Sequence, residues 1–369
     1  MAKVISIFNH KGGVSKTTTT FHLGWKMASL GKKILIVDAD PQCNLTGLTL
    51  GLDDYSSLSD FYDSKKNTDI FNSLAPEFNI DSVSASQDRG TIPIKETKNR
   101  NMFILAGNIR FSELDTQIAT ALTSGDTIPV LKRFVGSINR LIRDAANKNG
   151  IDIVLVDMSP SVSATNHCIL MGSDYFIIPI SPDFYCYQAI DSLSNVLPSW
   201  AEKINKFRQG YGDFILPSRE PRMLGVISQN YRIYTVDSRR ENTDQKTMSK
   251  AYRDWLDKIH ALTNSKLVPT LREHDMVISE DIFKGRVTYD SPYHLAGVQN
   301  FSGLIPVSQR LSKPIYELTA QDGNWSGGRW ENIKNGVSHG IKVNIEDANR
   351  MYTELSRSII GMIEDDRYP

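Results

Sequence analysis

Two lysines bracket a glycine-rich turn near the start of the chain, in the run His10-Lys11-Gly12-Gly13-Val14-Ser15-Lys16-Thr17. The turn follows a short β-rich apolar stretch, Val4 to Phe8, and precedes a helical pattern. A glycine-rich turn in that setting aims backbone N–H groups and a helix N-terminus at one point, which suits a polyphosphate. Lys16 is placed to reach β- and γ-phosphates, and Thr17 to set its hydroxyl on Mg²⁺. Asp38 and Asp40 end an aliphatic run and open the next turn, and Asp157 ends another such run. A carboxylate at the C-terminal end of a parallel strand lies at the ligand-binding edge of the sheet.

The stretch KGGVSKTTT, Lys11 to Thr19, resembles the deviant Walker A motif KGGVGKTTT of the ParA/MinD/Soj group of P-loop ATPases, in its ParA branch. The resemblance implies that Gly12, Gly13, Val14, Ser15, Lys16, Thr17 and Thr18 cradle ATP. It also implies that Lys11 reaches across a nucleotide-sandwich homodimer to the other copy's phosphates, so that ATP rather than ADP joins two chains. A cation there neutralises charge as it moves toward the leaving group. Ser15 stands where the family usually has glycine; its Cβ crowds the turn if that residue takes positive φ and is tolerated if it is αR-like. ATP binding is expected to survive, with rate or affinity changed.

VDADPQCNLTGL resembles the family's next motif, D-x-D-P-Q-x-N-x-T, through Asp38, Asp40, Pro41, Gln42, Asn44 and Thr46. By that resemblance Asp40 orients the attacking water and Asp38 supports the magnesium shell through water. A loose transition state asks for positioning of that water more than for its deprotonation. Ile153-Val154-Leu155-Val156-Asp157 resembles a Walker B strand, which implies that Asp157 binds the magnesium ion's water ligands. Met158-Ser159-Pro160-Ser161 departs from the usual T-P-P-S, and the missing proline bears on how tightly nucleotide state is relayed. Tyr175 to Asp183 resembles V-x-I-P-V-x-P-(E/D), which supports the alignment without adding chemistry. Gln229-Asn230 sits where the family often has a base-reading Asn, and Leu304-Ile305-Pro306 resembles its later strand whose proline packs near adenine. Asn230 and Pro306 are equally readable as plain strand ends. The resemblance covers Met1 to about Leu50 and Phe103 to about Ile190, and the last third only in outline.

Elements able to hold these residues together are legible from periodicity. Phe21, Gly24, Trp25 and Ala28 fall on one helical face, and Gly31 is a stop signal. Ile34-Leu35-Ile36-Val37 is an unbroken run of the kind buried on both faces of a parallel sheet. Together they form a βαβ unit, and Phe103–Leu105, Ile153–Val156, Tyr175–Ile180 and Met223–Ile227 repeat the strand pattern. The fold class is α/β: a doubly wound, mostly parallel sheet flanked by helices, of the P-loop NTPase type. We expect a single domain over residues 1–369. Probable insertions lie at about 51–100, read as a surface excursion with short helices, and at about 237–302. An amphipathic helix is expected from Asn242 to Ile259, and a C-terminal helix at about 345–363.

Hydrophobic residues at 40% and charged residues at 23% argue for a soluble globular chain rather than a disordered or fibrous one. Forty-two basic and forty-two acidic side chains leave no global field, so nucleic acid would have to meet a local basic patch. Arg232, Arg239, Arg240, Lys246, Lys250, Arg253 and Lys258 are candidates for one, although Glu241, Asp244, Asp254 and Asp257 interleave with them. Cys43, Cys168 and Cys186 form no CxxC, which fits a reducing compartment. The start lacks the layout of a signal peptide, no run approaches about 18 apolar residues, and IIGMIEDDRYP is acidic where anionic lipid would want lysine. A cytoplasmic location and no membrane partner are expected. Two readings stay open: a partition ATPase hydrolysing ATP to ADP and phosphate, with nonspecific duplex DNA and a stimulating partner protein, and a regulatory ATPase that recruits a protein without DNA.

Overall fold

The aliphatic runs that end in aspartate become central strands of one sheet. The structure is a computed structural model that describes residues 1–52, 54–63, 69–78, 94–125, 128–208, 216–231, 233–235, 246–248, 250–288, 291–301, 303–334 and 337–366. Its first half runs β1 (Lys3–Ile7), α1 (Lys16–Ser29), β2 (Ile34–Ala39), α2 (Asn44–Leu50), α3 (Tyr55–Asp63), α4 (Ile70–Phe78), β3 (Lys95–Glu96), β4 (Met102–Leu105), α5 (Leu114–Ser124), α6 (Pro129–Lys148) and β5 (Ile153–Met158). There follow α7 (Ala164–Gly172), β6 (Tyr175–Ile180), α8 (Phe184–Arg208), β7 (Arg222–Tyr231), β8 (Ile233–Thr235), β9 (Lys246–Met248), α9 (Lys250–Leu262), α10 (Val268–Glu273) and α11 (Glu280–Arg286). The chain closes with β10 (His294–Gln299), α12 (Ile305–Leu311), α13 (Gly327–Trp330), β11 (Asn332–Lys334), β12 (Val337–His339) and α14 (Ile341–Asp365).

Eight strands form the sheet in the order β10-β7-β6-β1-β5-β2-β4-β3. All neighbours are parallel except β3, which runs antiparallel to β4 at the edge. Each parallel step needs a crossover, and helices supply it on both faces, so β2, β5 and β6 are buried at every position. One layer joins α1 to α14 and α14 to α11; the other connects α4, α6, α5, α7, α8 and α9. Because β1 lies between β5 and β6, the loop leaving it opens at the middle of the carboxyl edge. In register, Asp38 of β2 stands beside Asp157 of β5.

Five expectations need correction. The 51–100 segment is not wholly a surface excursion: α4 buries Ile70, Phe71, Leu74 and Phe78, and Phe78 stacks on Phe134 of α6 at 4.5 Å. Nor is 237–302 wholly an insertion, because β10 pairs with β7 in the main sheet. The helix expected from Asn242 begins at Lys250, with β9 just before it, and residues 242–245 lie outside the described residues. Leu304-Ile305-Pro306 is the start of α12 rather than a strand, with Pro306 in the first turn, where a missing N–H costs nothing. The C-terminal helix is longer than expected, and Ala348, Tyr352, Leu355, Ile359 and Met362 make its buried stripe. Among the described residues no helix is long and apolar enough to cross a membrane.

The seating of α1 on the sheet turns on Gly24. A Cβ there would meet Ile36 Cγ2 at 2.9 Å and Met102 Sδ at 3.3 Å. Glycine lets the helix lie flat on β2, β4 and β5 and so sets the height of the loop at its N-terminus. Gly24→Val is expected to cost about 1–3 kcal/mol by overpacking, read as a lower urea midpoint with unchanged slope.

Candidate nucleotide-binding site

The loop is held open by its flanks. Asn9, buried just past β1, donates from Nδ2 to Pro179 O at 2.8 Å and accepts from Lys11 N at 2.9 Å, which ties the loop's start to β6. Gly13 has φ 75 and Ser15 has φ 58, so the departure from glycine at 15 falls where the left-handed region is required. An L side chain there costs about 1–2 kcal/mol, so the αR-like alternative for Ser15 does not hold. Lys16 folds back over the loop and donates to Asn9 O at 3.0 Å and Lys11 O at 3.3 Å. Burial lowers its pKa, while Asp157 and Asp40 pull it back up. Thr17 and Thr18 open α1, and Gln229 Nε2 donates to the Thr19 hydroxyl at 2.8 Å, fastening that helix to β7.

Opposing carboxylates converge on this lysine. Asp38 is fully buried; its Oδ2 accepts from Thr46 N at 2.7 Å and Thr46 Oγ1 at 2.6 Å, and that hydroxyl in turn accepts from Gly107 N at 2.8 Å. Its pKa is pushed up to about 6 by burial, against the pull of those bonds. A Cβ on Gly107 would sit 2.9 Å from Asp38 Cγ, so only glycine fits there. Asp40 takes Gln42 N at 3.0 Å and lines the cleft. Asp157 is 1% exposed, and neither carboxylate oxygen has a hydrogen-bond partner among the described residues. Burial and neighbouring Asp38 raise its pKa well above the usual carboxylate range, against Thr17 and Lys16. An orphaned buried carboxylate beside a threonine hydroxyl and a lysine fits a hydrated Mg²⁺ bound with phosphates.

These groups face a cleft of about 810 Å³ lined by residues 12–18, Asp40, Gln42 to Asn44, Pro160 and, from α12, Gln309 and Arg310. The turn after β5 lacks its usual first proline, and Asn166 Nδ2 takes over the restraint, donating to Ser159 O at 2.9 Å and Ser161 O at 2.8 Å. A second cavity of about 450 Å³ adjoins Ser15 and Thr18 and is walled by Gln229, Tyr252, Asn300, Phe301, Ile305 and Tyr352. Rings and amides of that kind suit a nucleobase. Ile305, not the exposed Pro306, lines it, and the Asn230 side chain lies outside the described residues. Lys11 does not reach the cleft; its Nζ pairs with Asp183 Oδ2 at 2.9 Å, which gives chemistry to a residue the sequence marked for alignment alone.

The family described as "AAA domain" matches residues 2–209, over half of the chain. This protein belongs to that family, as a P-loop ATPase of the ParA/MinD type. Among its relatives, the sporulation initiation inhibitor protein Soj of Bacillus subtilis is 27% identical over 198 residues, 53% of this chain and 65% of that one. The chromosome-partitioning ATPase Soj of Treponema pallidum is 26% identical over 196 residues, 52% and 62% of the two chains. The match therefore spans just under two thirds of those relatives' length. Apo McdA of Cyanothece shares the fold with a TM-score of 0.53 at 15% identity, over 94% of this chain and 99% of that one. So does pNOB8 ParA bound to nonspecific DNA, with a TM-score of 0.50 at 21% identity over the whole of both chains.

The site stores electrostatic strain in this P-loop ATPase. A carboxyl with a folded pKa above its unfolded one holds its proton more tightly when folded, so it stabilises the fold at low pH and withdraws that help as pH rises. For Asp38 the loss runs from about 4 to about 6, and Asp157 shifts in the same direction. Asp157→Asn is expected to raise the apo melting temperature above about pH 4 and to flatten its fall as pH rises from there. Melting curves against pH check this, and an unchanged slope would remove Asp157 as its source.

Proposed function

We propose that this chain is an Mg-ATP-dependent dimerisation switch of the partition type. In this reading it binds ATP, joins a second copy, holds duplex DNA nonspecifically in that state, and separates after hydrolysis stimulated by a partner protein. The observation that carries the reading is the orphaned Asp157 carboxylate, buried beside Lys16 and Thr17 at the head of a glycine-rich loop. Thr17, Asp38 and Asp157 would hold a hydrated Mg²⁺, which would supply charge neutralisation for the β- and γ-phosphates. Residues 12–18 hold the phosphate chain through backbone N–H groups, and the cavity lined by Gln229, Asn300 and Phe301 takes the base. Asp40, turned into the cleft by the Gln42 amide, orients a water whose oxygen bonds to the γ-phosphorus as the bond to the bridging oxygen breaks; ADP keeps that oxygen and the water's proton passes to the departing phosphate.

Support for the DNA part is of two kinds. The fold neighbour pNOB8 ParA was solved on nonspecific DNA, and Lys250, Arg253 and Lys258 are exposed on α9, with Asp254 and Asp257 exposed among them. Arg232, Arg239 and Arg240 lie outside the described residues, as does the Lys246 side chain.

Asp40→Ala is expected to keep Mg-ATP while hydrolysis falls by orders of magnitude, leaving a trapped dimer. Adding Lys11→Ala should return it to monomer without loss of nucleotide, and light scattering after gel filtration across about tenfold in protein concentration decides. A double variant that still dimerises with ATP removes Lys11 from the interface. The trapped dimer should also retain random duplex at ~50 mM salt and release it steeply as salt rises. Failure to retain it would favour recruitment of a protein partner.

In this reading Lys11 must leave Asp183 before it can serve another copy. The pair is 21% and 40% exposed on its two sides, so its worth is at most about 1 kcal/mol. Two such pairs open in each dimer, so Asp183→Asn is expected to lower the concentration for half-dimerisation with ATP by up to about thirtyfold. Analytical ultracentrifugation reads this shift, and a higher concentration requirement would show that Asp183 acts in the dimer instead.

A further inference from the structure

The phosphate cleft takes one wall from a part of the chain far from any nucleotide motif. Of the described residues that line it, two carry positive charge: Lys16 of the loop and Arg310 of α12. Lys16 already faces Asp157 and Asp40, and Lys11 is held by Asp183. A polyphosphate entering the cleft therefore meets carboxylates that offset much of the loop's charge, and among the described lining residues Arg310 is the cation left to answer it.

We propose that Arg310 is a second phosphate anchor for the bound nucleotide, one that ties occupancy of the cleft to the C-terminal third of the chain. The inference rests on the nucleotide reading above. Among the described residues no carboxylate pairs with Arg310, and its one hydrogen bond runs from Nη2 to Asp322 O at 3.1 Å. The Asp322 carboxylate is taken instead by Lys313 at 2.8 Å. A guanidinium carries five N–H donors in a fixed fork that matches phosphate oxygens, so four remain to use.

The seat of Arg310 is built rather than loose. Lys98 Nζ donates to Leu311 O at 2.7 Å, and Ser308 Oγ donates to Lys313 O at 2.6 Å, which together fasten the end of α12. Ser312 turns the chain there with φ 48. That turn abuts Gly51, the residue closing α2 with φ 71, where a Cβ would lie 3.0 Å from Ser312 Oγ. The other end of α2 starts at Asn44, directly after the turn that carries Asp40. A phosphate held by Arg310 thus draws α12 and α2 toward one arrangement, and α2 in turn sets the Asp40 turn. Gln309 adds an amide to the same wall.

The test is isothermal titration of Mg-ATP, Mg-ADP and inorganic tripolyphosphate into the full chain and into Arg310→Gln, Arg310→Lys and Lys16→Ala. Because Arg310 is exposed, melting of the nucleotide-free Arg310→Gln and Arg310→Lys chains should match the parent. Arg310→Gln is expected to weaken Mg-ATP and tripolyphosphate about tenfold each, with a shallower salt dependence, and Arg310→Lys to recover part of that loss. Tripolyphosphate has no base, so a loss confined to ATP would assign Arg310 to the base or ribose and overturn the proposal. Parent-like affinity in Arg310→Gln beside lost affinity in Lys16→Ala would overturn it while leaving the nucleotide reading intact. The same holds if Arg310→Gln loses only DNA retention. A parent chain that binds no nucleotide would remove both.

Discussion

The structure depends on one electrostatic arrangement: two buried carboxylates at adjacent strand ends, balanced by a lysine and a helix N-terminus. Asp38 and Asp157 are register partners in β2 and β5, and each is driven toward its protonated form by burial and by the other's charge or that of Asp40. Such a pair is tolerated because the sheet edge faces α1, whose first turn presents unpaired N–H groups and Lys16. Asp38 spends Oδ2 on Thr46 and so anchors α2, and its Oδ1 accepts from Asp40 N, whereas neither oxygen of Asp157 has a hydrogen-bond partner among the described residues. The carboxylate that is satisfied shapes the fold, and the one left unsatisfied is available for chemistry.

Helix α1 is the joint through which the rest of the molecule senses that arrangement. On one side Gly24 brings it onto the sheet; on another, Gln229 fixes Thr19. His22 links it to the C-terminal third: its Nε2 accepts from Ile315 N at 3.1 Å, its Nδ1 donates to Thr18 O at 2.7 Å, and burial holds its pKa near 4, so it stays neutral in this role. Ile315 lines the second cavity, and Tyr352 of α14, which stacks on His22, lines it too. The cleft and the neighbouring cavity thus share one helix, which is also bonded to the C-terminal third of the chain.

Strain is concentrated at the same place. Two of the helices that frame the cleft start from a non-glycine residue in the left-handed region, Ser15 at φ 58 before α1 and Cys43 at φ 55 before α2. Conformations of that kind persist where surrounding structure over-determines them, here the loop's bonds to β6 and the Asp38–Thr46 clamp. The helix starts are thereby pre-set for a ligand at some cost to the empty chain.

The loop, the aspartates at strand ends and the central strands were legible in the sequence because their geometry is local. A strand, a glycine turn and a helix in succession put Lys16, Thr17 and the N–H groups together whatever the remainder does, and unbroken aliphatic runs mark strands buried on both faces. Ser15 was visible as a departure, but its backbone angle was not, since serine is compatible with two conformations and the surrounding bonds choose between them. What tertiary structure alone decided is which distant side chains meet. Asp183 holds Lys11 across 172 positions, Arg310 enters a cleft built by residues 12–52, and α4 goes into the core because α6 offers it Phe134. Periodicity reports that a face will be buried, but the partner is chosen by sheet order and helix packing, which depend on the whole chain at once.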